Sequence, residues 1–244
     1  MTQNIEELSL NAWPALQTML YDGWVLRFSN GYTRRANSIN PLYPSGLGLD
    51  EKLHFCEDFY RARGLPVVFK ITDSSQPDDL DQYLDEVGYA KEAATSVQTL
   101  DMGTFIDRPA PGLMLWKDVQ DEWLEAFCRM SPGVGSRQAT LRQMLLNILP
   151  AHCFAAVRLD GLIVACGLGV AQSGAVGLFD IVTDSAQRRR GYAGQVMSGL
   201  LAWGKVHQAQ SAYLQVMLNN APALNLYSKM GFSEKYQYWY RVKA

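Results

Sequence analysis

Ala193, Val196, Met197, Leu200 and Leu201 recur at i, i+3, i+4, i+7 and i+8, which puts them on one face of an α-helix. Ahead of that helix the pattern changes. Two apolar runs, 153–159 and 162–171, meet at Asp160-Gly161, a dipeptide that strongly favours a two-residue hairpin turn. Gly174 turns the chain again into a third run, 176–183, so the three predict an antiparallel meander. Before it, a short strand at 113–116 precedes helical stretches at 118–130 and 137–149, the second stopped by Pro150. After the amphipathic helix come a strand at 212–218 and a helix at 221–230. Gly231 suits the left-handed position that ends a helix, and an aromatic, extended tail fills 232–242. The succession β, α, α, β, β, β, α, β, α, β predicts an α+β fold with a mixed, largely antiparallel sheet flanked by helices.

The first hundred residues echo this order. Strands at 24–28 and 34–39 read as a hairpin around Asn30-Gly31, followed by a helix at 50–63 and a strand at 66–71. A helix at 80–87 then ends at Gly88-Tyr89, and a strand follows near 95–100. Gly88-Tyr89 plays the part of Gly231-Phe232, which points to a diverged internal repeat. The segment 103–111, with Pro109 and Pro111, reads as a linker between an N-terminal domain (1–102) and a C-terminal one (112–244).

Composition narrows the classes. With 48% hydrophobic and 19% charged residues the chain is that of a folded protein rather than a disordered one. A net charge of -2 supplies no surplus cations to displace phosphate counterions, so a duplex nucleic-acid partner is not expected. No apolar run approaches the length of a bilayer span, and the first ten residues lack a secretion-signal layout, so the expected location is cytoplasmic. The four cysteines show no CxxC spacing and the three histidines are scattered, so no metal is expected.

One string carries chemistry. Between the third strand and the amphipathic helix stands Gln187-Arg188-Arg189-Arg190-Gly191-Tyr192-Ala193-Gly194. A turn that exposes successive N–H groups, followed by the positive end of a helix dipole, is a cradle for an anion. Gly191 and Gly194 let backbone approach a ligand closely. Three arginines at a helix N-terminus oppose the dipole, and a bound polyanion accounts for them.

The stretch from Phe179-Asp180-Ile181-Val182-Thr183 through Arg188-x-x-Gly191-x-Ala193 resembles the acetyl-CoA-binding core of the GNAT acyltransferase family. Asn220-x-x-Ala223-Leu224-x-Leu226-Tyr227-x-Lys229-x-Gly231-Phe232 resembles the family's second signature, in the expected order. The resemblance covers about residues 112–243. It implies a GNAT-type fold, acetyl-CoA as co-substrate, and an acetyl group moved onto a small-molecule, peptide or protein amine. Ile181, Val182 and Thr183 would pair with the pantetheine arm like an added strand, and amides from Arg189 to Gly194 would wrap the pyrophosphate, with Arg188 adding charge. Asn220, with Ala223 beside it, would hold the pantetheine region, and Tyr227 would stand near the thioester sulfur as general acid. Asp184-Ser185 stands where many members carry proline.

The general base is less legible. Asp180 is the carboxylate nearest in sequence to the reacting centre, yet strand alternation can turn it away. Gly177 stands where some relatives carry a glutamate. In the N-terminal half, gapless alignment on Gly88-Tyr89 lays Leu84 on Tyr227 and Pro77 on Asn220. Its candidate phosphate turn, Ser45-Gly46-Leu47-Gly48, lacks an Arg or Gln three residues before either glycine. That half therefore resembles a degenerate GNAT repeat, expected to complete a sheet or wall a cleft. All motif residues lie beyond position 107, so a fragment starting there is expected to bind CoA if it folds.

The rival reading is a CoA-binding or sensing module without turnover, which has no need of Tyr227. Trp203, Tyr236, Tyr238, Trp239 and Tyr240 are expected in core and edge packing, with an acceptor pocket as the alternative. Residues 130–138 are expected to shape the acceptor site. The P-loop-like 199–206 has Val206 in place of a magnesium-binding hydroxyl and falls inside the predicted helix.

Overall fold

The computed structural model describes residues 2–107, 110 and 112–243; Pro109 and Pro111 of the linker lie outside the described residues. The C-terminal half follows the order read from the pattern. Strand β6 (Leu113–Trp116) leads into α4 (Asp121–Met130) and α5 (Gln138–Leu146). The meander is β7 (Ala151–Leu159), β8 (Leu162–Gln172) and β9 (Ala175–Thr183), and then come α6 (Tyr192–Val206), β10 (Ser211–Met217), α7 (Ala221–Lys229) and β11 (Ser233–Lys243).

The N-terminal half holds α1 (Thr2–Ala12), β1 (Gln17–Tyr21), β2 (Trp24–Phe28), β3 (Ile39–Pro41), α2 (Leu49–Arg61), β4 (Val67–Ile71), α3 (Leu80–Glu86) and β5 (Ala90–Asp101). Its hairpin is not the expected one. The chain reverses at Asp22-Gly23, both at positive φ (39° and 80°), and pairs β1 with β2. Asn30-Gly31 instead leads the chain out of the sheet. The buried Asn37 side chain accepts from the amides of Ser29 (2.7 Å) and Gly31 (3.0 Å), and Arg34–Ala36 forms a 3-10 turn rather than a strand.

The two halves share local geometry. Tyr89 N–H donates to Leu84 C=O at 2.9 Å, and Phe232 N–H to Tyr227 C=O at 3.0 Å, each across a glycine at positive φ. Strand β4 lies parallel to β3, as β10 lies parallel to β9.

The eleven strands of the described residues join in one sheet, ordered β1-β2-β3-β4-β11-β5-β10-β9-β8-β7-β6. The two halves therefore exchange their last strands. Strand β5 pairs with β10 of the other half, and β11 pairs with β4 as well as with β5. The linker divides the chain but not the sheet.

Apolar side chains cover both faces. Along β7, Cys153, Ala155 and Val157 pack toward α6, while Phe154 and Ala156 pack toward α4 and α5. That explains an uninterrupted apolar run in place of alternation. One cluster under α1, α4 and α5 extends across both halves, whereas the opposite face carries two clusters, one per half. Buried Glu6 of α1 binds Lys70 of β4 (2.5 Å) and accepts from the Tyr236 hydroxyl of β11 (2.6 Å), fastening the exchanged strand. The four cysteines are unpaired. Among the described residues no helix is long and apolar enough to cross a membrane.

Candidate active site

Strands β9 and β10 pair from Ser211↔Ala175 to Leu214↔Leu178 and then part. Beyond that point β9 continues to Thr183 with a free edge, and a cleft of about 430 Å³ opens between the strands. Asp180 and Ile181 of β9, Asn220 at the start of α7, Tyr227 of α7, and Tyr238 and Tyr240 of β11 line it. So do Arg34 and Arg35, which the sequence reading did not single out. Residues 130–138 are not among its lining. Arg137 from that segment instead donates to the carbonyl of Gly31 at 2.6 Å, docking one half on the other.

A bulge aims Asp180 into the cleft. The β8–β9 register passes from Leu168↔Phe179 to Cys166↔Val182, so Asp180 and Ile181 oppose the single residue Gly167. Asp180 takes φ of 54°, a left-handed conformation that aspartate tolerates better than most residues. Its side chain is 6% exposed, and Oδ2 has no hydrogen-bond partner. Oδ1 lies 3.9 Å from Arg35. Burial pushes the carboxyl up to about 6, with Arg35 pulling weakly the other way. Gly177 has no room for a carboxylate: a Cβ there would sit 2.6 Å from the rings of Phe179 and Tyr213.

Tyr227 is buried in the α6–α7 cluster, tilted against Phe232, and burial pushes its hydroxyl up to about 12. Asn220 caps α7 by accepting from Ala223 N–H at 3.4 Å, which engages the Ala223 amide and leaves the Asn220 side-chain N–H groups for other partners. Ala223 is not in the cleft lining.

The strand edge at Ile181, Val182 and Thr183 runs on toward the glycine-rich turn. Asp184 stands in the place of the proline. It caps the turn Ser185–Gln187 by accepting from Ala186 N–H (3.0 Å) and pairs with Arg129 (2.6 Å). Gly191 is the N-cap of α6 at φ 85°. The first amide to find a helix carbonyl is that of Gln195, on Gly191 at 3.1 Å, so those of Tyr192, Ala193 and Gly194 are left for a ligand. Arg188, Arg189 and Arg190 are exposed, and among the described residues none has a carboxylate within 4 Å. Among the described residues, eight buried side-chain polar atoms lack partners. Four of them, on Asp180, Thr183, Gln187 and Gln195, follow this path, and a fifth is the Tyr240 hydroxyl in the cleft. Buried polar atoms are normally paired, so such a concentration sets this path apart from the rest of the interior.

The corresponding turn of the N-terminal half is filled by the protein itself. The amides of Gly46 and Leu47 donate to the Asp22 carboxylate at 3.0 Å, holding its pKa below the usual range. Lys52 stands 3.2 Å from the same carboxylate. Leu84, at the position equivalent to Tyr227, is wholly buried.

Residues 2–241 match the family model described as "Probable histone acetyltransferase Rv0428c C-terminal". The chain is 30% identical over 247 residues to "Uncharacterized N-acetyltransferase YobR" of Bacillus subtilis (strain 168), covering 99% of this chain and 98% of that protein. Among solved structures, a GCN5-related N-acetyltransferase from Kribbella flavida superposes with a TM-score of 0.72 at 15% identity, covering 100% of this chain and 95% of its own. A tandem GNAT protein from the clavulanic acid biosynthesis pathway gives 0.64 at 13% identity, over 98% and 87%. At such identities the likeness is one of fold.

Proposed function

We propose that this chain, which belongs to that family and to the GNAT acetyltransferases at large, moves an acetyl group from acetyl-CoA directly onto an amine. The observation that carries the reading is one cleft lined by a buried carboxylate whose Oδ2 makes no hydrogen bond and by a buried phenol, entered along a free strand edge that leads to the N-terminus of α6.

The pantetheine arm extends β9 from Ile181 to Thr183, and the amides of residues 189–194 hold the pyrophosphate beside the arginines. In the cleft, an ammonium gives one proton to Asp180 and becomes a nucleophile. Its nitrogen attacks the thioester carbon; the C–N bond forms and the C–S bond breaks. The departing thiolate takes a proton from Tyr227, the nitrogen gives its second proton through solvent to the tyrosinate as the intermediate collapses, and Asp180 releases the first to bulk water. The high pKa of Tyr227 keeps it protonated at neutral pH, as an acid must be. A module that only bound CoA would have no use for either group. The first test is thiol release from acetyl-CoA with a mixed panel of amines. Absence of release across amino acids, polyamines, aminoglycosides and peptides would sink the proposal.

Two substitutions probe the parts. Gly191→Val forces a β-branched residue to φ 85°, where no neighbour blocks its Cβ but the backbone itself resists. The strain of about 1–3 kcal/mol is relieved by reshaping the turn, so CoA affinity should fall at least about tenfold. Calorimetry with CoA checks this; wild-type affinity would remove the turn from the binding site. Tyr227→Phe keeps the ring and its packing while removing the hydroxyl. Because a thiolate leaves readily, the loss in kcat should lie near the lower end of general-acid effects, about a hundredfold, with CoA affinity unchanged. Undiminished single-turnover chemistry would leave Tyr227 a packing residue.

A further inference from the structure

Arg35 is held in the cleft with its hydrogen-bonding capacity unused. The buried Arg27 guanidinium grips the carbonyls of Arg35 and Trp13, fixing the 3-10 turn that presents Arg35. Its side chain lies over the Trp13 ring (5.0 Å), which in turn stacks on Phe179 next to Asp180. Only 29% of that side chain is exposed, yet among the described residues its five N–H donors make no hydrogen bond. Asp180 at 3.9 Å is too far for one. Neighbouring Arg34 differs, since it hydrogen-bonds Glu92. The cleft thus holds a guanidinium that makes no hydrogen bond, facing a carboxylate whose Oδ2 makes none either.

We propose that the acceptor is an amine carrying an anionic group only a few bonds from its nitrogen, an α- or β-amino acid, whose carboxylate is held by Arg35 while its nitrogen faces Asp180. The inference rests on the acetyl transfer proposed above and names its substrate class. Arg35 and Asp180 lie 3.9 Å apart, so contacts of about 3 Å made side by side to both suit a ligand whose two ends lie within roughly 5 Å of each other. An α- or β-amino acid fits that span. A lysine ε-amine stands four methylenes from its α-carbon, and a peptide N-terminus has its carboxyl tied up as an amide. A guanidinium and a carboxylate make parallel, charge-assisted hydrogen bonds, so Arg35 would set orientation as well as affinity. The Asp180 carboxyl, raised by burial, is then relieved by the arriving ammonium.

The test compares thiol release from acetyl-CoA by the full-length protein with a set of α- and β-amino acids, each beside its own carboxamide. Intrinsic reactivity favours the carboxamides, whose amines are less basic and more often unprotonated. Wild-type protein should nonetheless show kcat/KM about 10- to 100-fold higher for the acids, the discrimination expected of hydrogen bonds between charged groups. Arg35→Gln should bring the ratio close to one, through KM, with CoA affinity by calorimetry unchanged, and Arg35→Lys should restore part of it. Should neither variant fold, the wild-type ratio decides alone. Carboxamides, polyamines or peptide lysines used as well as the acids would overturn the inference and leave acetyl transfer standing. Turnover of no amine at all would overturn both.

Discussion

Asp180→Asn is expected to lower kcat by about a hundred- to ten-thousandfold, the usual range for removing a general base. The variant keeps shape and polarity in the bulge, so CoA affinity should not move. In the wild type a base must be ionised to work, and this carboxyl titrates at about 6. The acidic limb of kcat/KM should therefore fall near pH 6, and the variant should lose that limb. Stability moves in the opposite sense. A carboxyl whose pKa is raised by folding favours the folded state below its unfolded value and loses that advantage as pH rises through about 6. Above pH 6 the Asn variant should accordingly be the more stable, by up to roughly 3 kcal/mol, and near pH 4 the two should converge. Thermal unfolding at pH 4 and pH 8, beside a pH–rate profile, checks both halves of the expectation. Full turnover in the variant with an unaltered acidic limb would exclude Asp180 as the base, whatever its stability did.

The bulge that makes Asp180 useful is also what the sequence did not announce. Strand alternation in 176–183 leaves Asp180 facing either way, and nothing in Phe179-Asp180-Ile181 signals two residues set against Gly167. Regular elements were legible wherever one pattern ruled a long segment. The order from β6 to β11 follows from apolar period and turn residues, and Asp160-Gly161 joins β7 to β8 as read. The same dipeptide at Asp22-Gly23 was the signal for the first hairpin. Because β1 lies at a sheet edge with Leu20 largely exposed, it has no clear apolar alternation to mark the strand that ends there. The cradle was readable since it is local: a turn, two glycines and a helix start. Arg35 was not, because its position depends on a contact between halves, with the buried Arg27 and Trp13 far from β9 in sequence. Tyr238 and Tyr240 pack in the core as expected, and strand exchange also carries them to the cleft lining, which no pattern within β11 signals.

That exchange reverses what the motifs suggest about dividing the chain. A fragment of residues 107–244 contains the whole glycine-rich turn, Asn220 and Tyr227, and by motif content alone should bind CoA. It would lack β4 and β5, the two neighbours of β11, and β5 is also the outer neighbour of β10. Strand β11 would then have no partner on either edge, and Tyr236, Tyr238 and Tyr240 would lose the strands and the α1 helix they pack beside. The ion pair of Glu6 with Lys70, and its bond from Tyr236, would be gone as well. Long unpaired edges with apolar side chains associate rather than stay open. The fragment alone should therefore show no cooperative unfolding, no stabilisation by CoA, and a tendency to aggregate. Co-expression of residues 1–106 with 107–244 should restore both properties, since the two pieces together contain every strand of the central β4-β11-β5-β10 set. Circular dichroism melts with and without CoA distinguish the outcomes. A lone 107–244 fragment that melts cooperatively and is stabilised by CoA would show that β11 finds a place within its own half, and that the exchange is not what holds the sheet together.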